Sequence, residues 1–386
     1  MKIVHIITRL ILGGAQENTL ITCKLLAQRG HDVTFITGPA IGPEGELFNQ
    51  TQNQKYKVIV VDEMLRAINP VKDCIAYRKI KEHLRRIQPD IVHTHSAKAG
   101  ILGRFAAAQL KTQNSKLKTI HTIHGLAFHP YQKAPTNKFY IAIEKMAARW
   151  TDAFISVADA MTQQALAAGI GRPEQFTTAY SAIEEDDFLT PLPAEQINAF
   201  RAEYKIPQDA IVLITVARLA ELKGHEYIIE SAKKLAPKFP KAVWLFVGNG
   251  ALTDQLKQQI AAAGLSDRFK FTGLLPPSKI PLAIQASDIL VHCSLREGLA
   301  RALPQAMLGG KPAISFDTDG AKEVVNVSTG RLIPPKDIEQ LTAACAELIA
   351  DKSLCELLGI AARESVRKKF APDTMVDVIE DIYEKL

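Results

Sequence analysis

Short apolar runs, each followed by a longer stretch with helical spacing of its apolar residues, recur from one end of the chain to the other. Runs of about four to eight apolar residues fit buried strands, while apolar positions at i, i+3 and i+4 fit helices lying against them. Strands are expected at 2–7, 32–37, 57–61, 90–94, 118–123 and 153–157, then at 210–216, 242–247, 269–272, 289–292 and 312–315. Alternation of this kind implies parallel sheets joined by helical crossovers, an α/β fold of doubly wound sheets. Six strands fall to a first domain and five to a second. Pro191-Leu192-Pro193 after the acidic cluster 184–187 suggests a linker near 183–192. The expected domains are 1–183 and 184–371. Two helical patterns, 353–369 and 372–386, close the chain, and Pro372 restarts the second. That last helix is expected to return to the first domain.

With 386 residues the chain exceeds a usual single core, which agrees with two domains. Its hydrophobic share of 47% and charged share of 23% are those of a globular protein and exclude a disordered or fibrous chain. Five cysteines, odd in number and without a C-x-x-C pair, read as free thiols of a reducing compartment. The first strand follows directly on Met1 with no signal-peptide pattern, so a cytoplasmic protein is expected.

The net charge of +6 is unevenly distributed. Residues 1–183 hold 23 Lys and Arg against 13 Asp and Glu, a balance of +10, and the remainder is −4. The helical stretch 71–87 carries Lys72, Arg78, Lys79, Lys81, Arg85 and Arg86. It is either a solvated face or a surface for anionic lipid head groups or a diphosphate-bearing acceptor. Without a DNA-binding helix or aromatic stacking motif, nucleic acid is not expected as a partner.

Candidate chemistry sits where strands end. Gly13-Gly14-Ala15-Gln16 lies between the first strand and a helix at 16–29, and paired glycines suit positive φ and close approach to a ligand. The G-x-G-x-x-G spacing fails and no acid closes the second strand, which argues against a dehydrogenase. His93 and His95 close the fourth strand on one face, and His121 and His124 close the fifth. Four histidines suggest a metal, but no carboxylate stands beside them, and hydroxyls or phosphates suit imidazoles equally well. Arg218 and Lys223 follow the first strand of the second domain and can converge on one anion. Gly248 and Gly250 make a turn after the next strand. In 291–312 a strand leads to Glu297 and then to a helix at 302–308 with Pro304 in its first turn. The N–H groups of Leu299, Ala300, Arg301 and Ala302 are placed there to receive a phosphate.

The motifs together resemble the family 4 glycosyltransferases. GGAQ at 13–16, HTHSAKAG at 93–100, TIHGLAFHPYQ at 122–132, VARLAELKGHE at 216–226, VGNGAL at 247–252, FTGLLP at 271–276 and REGLARALPQAM at 296–307 follow the family's order and spacing. HSAKAG and TIHGLAFH most resemble enzymes of bacterial capsule, exopolysaccharide or lipopolysaccharide synthesis. The resemblance implies a retaining, metal-independent enzyme of the GT-B fold, with two Rossmann-like domains facing across a cleft. Residues 1–183 with helix 372–386 would bind the acceptor and 184–371 the donor. No cofactor is implied. The donor would be a UDP-sugar or GDP-sugar, the acceptor lipid-linked or a membrane-proximal glycan, and the enzyme peripheral on the inner face of the membrane.

By the same resemblance Arg218 and Lys223 hold the diphosphate, Glu297 faces the sugar hydroxyls, and Leu299, Ala300, Arg301 and Ala302 receive phosphate. His124 lies near the anomeric carbon, Gly13 and Gly14 leave space for the β-phosphate, and Gly248, Gly250 and Gly273 line the nucleoside pocket. One position departs: the family's second glutamate, on the ribose, is here Gln305, a neutral acceptor weaker by about 1 kcal/mol. Two alternatives stay open, a sugar-nucleotide epimerase of the same fold and a non-catalytic partner subunit.

Overall fold

The computed structural model describes residues 1–41, 45–112 and 116–386. Among these residues two all-parallel sheets form. The first contains β1 (Lys2–Ile7), β2 (Asp32–Thr37), β3 (Lys57–Val60), β4 (Ile91–His95), β5 (Lys118–Ile123), β6 (Ala153–Ser156) and β7 (Phe176–Thr178), in the order β3-β2-β1-β4-β5-β6-β7. The second contains β8 (Ile211–Val216), β9 (Ala242–Val247), β10 (Phe269–Gly273), β11 (Ile289–His292), β12 (Ala313–Phe316) and β13 (Gly330–Ile333), in the order β10-β9-β8-β11-β12-β13. Each is a Rossmann-like winding. The order reverses between β1 and β4 and again between β8 and β11, where such sheets leave a crevice beyond the carboxyl ends of the strands.

Expected and observed strands agree to within one residue at each end, but two were missed. β7 reads Phe-Thr-Thr and β13 reads Gly-Arg-Leu-Ile. Both are short edge strands with little continuous apolar character, so neither has the pattern of a strand buried on both faces. Each domain therefore has one strand more than the six and five expected. The early helix spans Gly14–Gln28 rather than 16–29, and the penultimate one Lys352–Arg367 rather than 353–369.

The chain divides into two compact units, Met1–Ala182 with Pro372–Leu386, and Ile183–Ala371. In the second unit Phe188 is buried, and Leu192 N–H donates to Gln285 Oε1 at 2.9 Å. Its core gathers Leu213, Trp244, Phe246, Ile289, Val291 and Ile314 from the sheet with Leu341, Leu348 and Leu358 from the covering helices.

Side-chain alternation sorts the first sheet into two faces. Val4 and Ile6 on β1 and Val92 on β4 pack against Ile80, Leu84 and Ala106. On the opposite face Ile3 and Ile7 meet Leu20 and Leu26 of the helix Gly14–Gln28, together with Met375, Val376, Ile379, Ile382 and Tyr383 of the helix Pro372–Lys385. Burying each of those five side chains contributes on the order of 2 kcal/mol. The helix is also tied by Arg29 to Asp373, Asp377 and Glu380 at 2.7–2.8 Å, but exposed pairs of this kind are each worth about 0–1 kcal/mol. Burial therefore dominates its docking.

The basic helix Pro70–Ile87 buries Ala76, Ile80 and Leu84 and turns its cations outward. Lys79 pairs with Glu63 at 2.8 Å, Arg86 pairs with Glu82, and Lys81 donates to Gln109. Among the described residues no helix is long and apolar enough to cross a membrane.

Candidate functional site

In the first unit, strand alternation decides which polar side chains share a face. β1 and β4 run parallel with His5 beside His93 and Ile7 beside His95. Period two therefore puts His5, His93 and His95 on the face that the helix Pro372–Lys385 covers. All three are buried. The His93 and His95 rings stack at 4.4 Å between centroids, and His5 Nδ1 lies 2.9 Å from His95 Nε2. His95 Nδ1 is 3.1 Å from His124 Nε2, His93 Nδ1 is 2.5 Å from the Tyr383 hydroxyl, and His93 Nε2 is 2.6 Å from Thr122 Oγ1. Burial pushes His5 down to about 3. Burial and the neighbouring rings hold His93 and His95 well below the usual histidine range, so all three are neutral near pH 7. His121 takes the other face of β5, where Nδ1 meets Thr94 Oγ1 at 2.9 Å.

The ends of β1 and β4 are joined by hydroxyls. Ser96 and Thr8 oxygens lie 2.7 Å apart, and Ala99 N–H donates to Thr8 Oγ1 at 3.1 Å. Ser96 has φ 60° and ψ 160°, a conformation normally left to glycine, which marks a junction held against strain. A small pocket here is lined by Ser96, Ala97, His121, His124, Gly125 and Glu144. Beside it Arg104, fully buried, donates to Glu144 Oε2 at 2.6 Å and to the Gly100 carbonyl at 2.8 Å.

The glycine pair differs from expectation. Gly13 is extended, with φ 177°, and Gly14 opens the helix, so neither uses the positive-φ region. Instead, a Cβ on Gly13 would come within 2.8 Å of Gln16 Oε1, whose amide folds back and donates to the Arg9 carbonyl at 3.2 Å.

The second unit places charge at the equivalent end of its sheet. Leu222 and Gly224, with φ of 65° and 72°, flank Lys223 in a left-handed turn after β8. A Cβ on Gly224 would fall 1.9 Å from the Cys293 carbonyl oxygen, and Leu295 N–H donates to Leu222 O at 2.8 Å. The turn is thus clamped onto the loop after β11. This sets Lys223 Nζ 2.5 Å from Glu297 Oε1, so the cation pairs across the switch point with a carboxylate far from it in sequence. Glu297 N–H donates to Asp319 Oδ2 at 2.7 Å, and His292 Nε2 stands 3.4 Å from Glu297 Oε1. Burial works against the Glu297 charge, but the Lys223 ammonium and the His292 ring hold its carboxyl well below the usual range. His225, buried edge-on against Phe246, is pushed by burial to about 3 and adds no charge.

Arg218 is exposed at the end of β8. Gly248 N–H bonds to Gly273 O at 2.9 Å, and Cβ atoms on Gly248 and Gly250 would lie 2.0 and 2.2 Å from the carbonyls of Ala217 and Leu219. Gly248 and Gly250 are therefore held against the backbone around Arg218 for a packing reason independent of any ligand, whereas a Cβ on Gly273 would meet nothing and its glycine suits a φ of 70°. Leu299, Ala300 and Arg301 lead from Glu297 into the helix Ala302–Leu308, on which Gln305 is half-buried.

Sequence reading missed His5, Tyr383, Thr122, Asp319 and the Arg104–Glu144 pair. For His5 a signal existed, a lone imidazole amid the apolar residues of the first strand. Among the described residues His5, His93 and His95 are also the group whose nitrogens, within 4.8 Å of one another, come near enough to share a metal ion.

The chain matches two family models, Glycosyltransferase Family 4 over residues 12–186 and Glycosyl transferases group 1 over residues 196–365. It is 29% identical over 312 residues to a putative glycosyltransferase EpsD of Bacillus subtilis, covering 80% of this chain and 79% of that one. It is 27% identical over 390 residues to the Escherichia coli UDP-Gal:alpha-D-GlcNAc-diphosphoundecaprenol alpha-1,3-galactosyltransferase, covering 99% and 96%. Among solved structures, Anabaena HepE in complex with UDP-glucose superposes with a TM-score of 0.82 at 22% identity over the whole of both chains, which is a likeness of fold. With both units matched in order, the chain belongs to the family 4 glycosyltransferases and carries the two Rossmann-like domains of the GT-B fold.

Proposed function

We propose that this glycosyltransferase is a retaining, metal-independent hexosyltransferase that takes its sugar from a UDP-sugar, or otherwise a GDP-sugar, and delivers it to a lipid-linked glycan in cell-surface polysaccharide synthesis. The observation that carries this reading is the Lys223–Glu297 pair at the switch point of the second sheet, with exposed Arg218 on the same turn. Two cations suit a diphosphate and would stabilise its charge as it departs, the service a metal gives elsewhere. A carboxylate kept ionised beside them accepts hydrogen bonds from sugar hydroxyls. Leu299, Ala300, Arg301 and Ala302 would offer backbone N–H groups to phosphate, and Gly248, Gly250 and Gly273 would receive the nucleoside, with Gln305 on the ribose. In the first unit His124 would serve the transferred sugar, and Gly13 and Gly14 would leave room for the β-phosphate.

In the retaining step the acceptor oxygen bonds to the anomeric carbon as the bond to the donor phosphate breaks on the same face, and the acceptor's proton passes to the departing phosphate oxygen. A uridine donor and a diphosphate-lipid acceptor are favoured by the galactosyltransferase relative, which matches this chain nearly end to end. We place the enzyme in the cytoplasm, on the inner face of the membrane, with Arg78, Lys79, Lys81, Arg85 and Arg86 toward anionic lipid. A panel of UDP-sugars and GDP-sugars, read by nucleoside diphosphate release with membrane extract as acceptor, tests the activity. Turnover of one UDP-sugar is expected; no release and no binding of UDP or GDP would overturn the reading.

A further inference from the structure

A neutral imidazole has one N–H and one bare nitrogen, so rings joined nitrogen to nitrogen must all donate in the same sense along the chain. The first unit contains such a chain: His124 Nε2 to His95 Nδ1 at 3.1 Å, His95 Nε2 to His5 Nδ1 at 2.9 Å, and His5 Nε2 to the Tyr383 oxygen at 3.5 Å. It continues from Tyr383 to His93 Nδ1 at 2.5 Å and from His93 Nε2 to Thr122 Oγ1 at 2.6 Å. Tyr383 is neutral as well, since burial pushes its hydroxyl well above the usual tyrosine range.

Tyr383 sets the sense. A phenol O–H is a far more acidic donor than a neutral imidazole N–H, and a bare imidazole nitrogen is the stronger acceptor, so across 2.5 Å the phenol gives its proton to His93 Nδ1. His93 then carries its own proton on Nε2 and donates to Thr122. With the hydroxyl proton committed, the side of Tyr383 that meets His5 is a lone pair. At 3.5 Å the bond to it is weak, yet the sign of the interaction is clear: an N–H of His5 facing that oxygen is favoured, and a bare nitrogen is repelled. His5 is therefore protonated on Nε2, its Nδ1 accepts from His95 Nε2–H, and His95 Nδ1 accepts from His124 Nε2–H.

We propose that Tyr383, His5 and His95 are positioning residues that hold His124 as the Nε2–H tautomer, with the lone pair on Nδ1, through this directed chain anchored on the helix Pro372–Lys385. Its effect on turnover rests on the reading that His124 serves the transferred sugar; the tautomer itself does not. A metal shared by the same rings is the competing explanation, and their arrangement opposes it. His95 stacks on His93 with 29° between planes and lies 18° from the plane of His5. His5 and His93 are tilted by 40°, and His5 Nδ1 faces His95 Nε2 at 2.9 Å, closer than the about 3.3 Å that two ligands 2.0–2.1 Å from one tetrahedral ion keep.

The test is histidine-selective nitrogen-15 NMR of the full chain, which separates protonated from bare ring nitrogens. His5, His93, His95 and His124 are all expected as Nε2–H tautomers. Tyr383→Phe, which keeps the ring and removes the oxygen, should move His5, His95 and His124 toward Nδ1–H. It should also lower kcat about fivefold while leaving KM for the donor sugar unchanged. Any of the four found as Nδ1–H in the native protein, or tautomers indifferent to Tyr383→Phe, would overturn the proposal. So would a stoichiometric metal in the purified protein whose chelation changes the four ring signals. The native spectrum decides even where the variant does not fold. UDP binding by calorimetry separates the two readings: expected tautomers without UDP binding would remove the donor assignment and leave the chain of rings standing.

Discussion

At the reversal of strand order the first unit ends in the neutral rings of His5, His93 and His95, with His124 just beyond the sheet, and its buried ion pair, Arg104–Glu144, stands beside the pocket. The second unit, built on the same winding, ends in charge: Lys223 against Glu297, braced by Asp319. The side chains of the first pair are 0% and 10% exposed, and those of the second 18% and 21%. One winding can thus use an ion pair either to hold a wall or to face a ligand. Burial separates the two uses, because a fully buried charge must stay with its partner, whereas a partly exposed pair can exchange partners when a phosphate or hydroxyl arrives.

The comparison breaks most readily at Glu144. Glu144→Leu leaves the Arg104 guanidinium buried and uncompensated, and a stability loss of about 3–5 kcal/mol is expected from urea unfolding. An equal loss from Glu297→Leu would erase the distinction between wall and site. Next comes Glu297→Gln, for which turnover should fall about 10²- to 10³-fold with UDP affinity little changed. Parallel loss of both would deny its place on the sugar.

Lys223→Ala should weaken UDP binding by about 1.5–3 kcal/mol, the worth of a hydrogen bond to a charged group, measured by calorimetry. The same variant tests the titration of Glu297. Because its folded pKa lies below its unfolded value of about 4.3, the unfolded chain binds more protons in acid. The stabilisation is therefore complete above that value and is lost as pH falls below it. Urea midpoints between about pH 7 and 3 should drop less in Lys223→Ala than in the parent chain, and identical profiles would remove the ammonium as the cause. The smallest effect is expected from Gln305→Glu, a gain in UDP affinity of about 1 kcal/mol if the ribose meets this side chain.

What could be read from sequence depended on distance along the chain. Strands such as 242–247 were legible because the apolar run itself is the signal. The shared face of His93 and His95 was legible because period two is local. Lys223 and Glu297 were recognised as site residues by motif, but their contact, 74 positions apart, required the β8–β11 pairing. Tyr383 was beyond reach for the same reason, being 290 residues from His93, and within its own helix it is indistinguishable from any buried aromatic. Positive φ was assigned to Gly13 and Gly14, where residue type seemed to demand it, yet it is found instead at non-glycine positions that include Ser96, Leu222 and Asp319 of the two sites, and the residue types of Ser96 and Leu222 give no warning.

The helix Pro372–Lys385 gives the first unit a history as well as a cover. During synthesis β1–β7 emerge first, but the face bearing Ile3, Ile7 and the histidines stays unsealed by this helix until all of Ile183–Ala371 has followed. Until then an apolar surface is left open to misassociation and to chaperones. A ribosome that stalls or stops within the second unit would therefore release a chain whose earliest-made half is the one left unfinished.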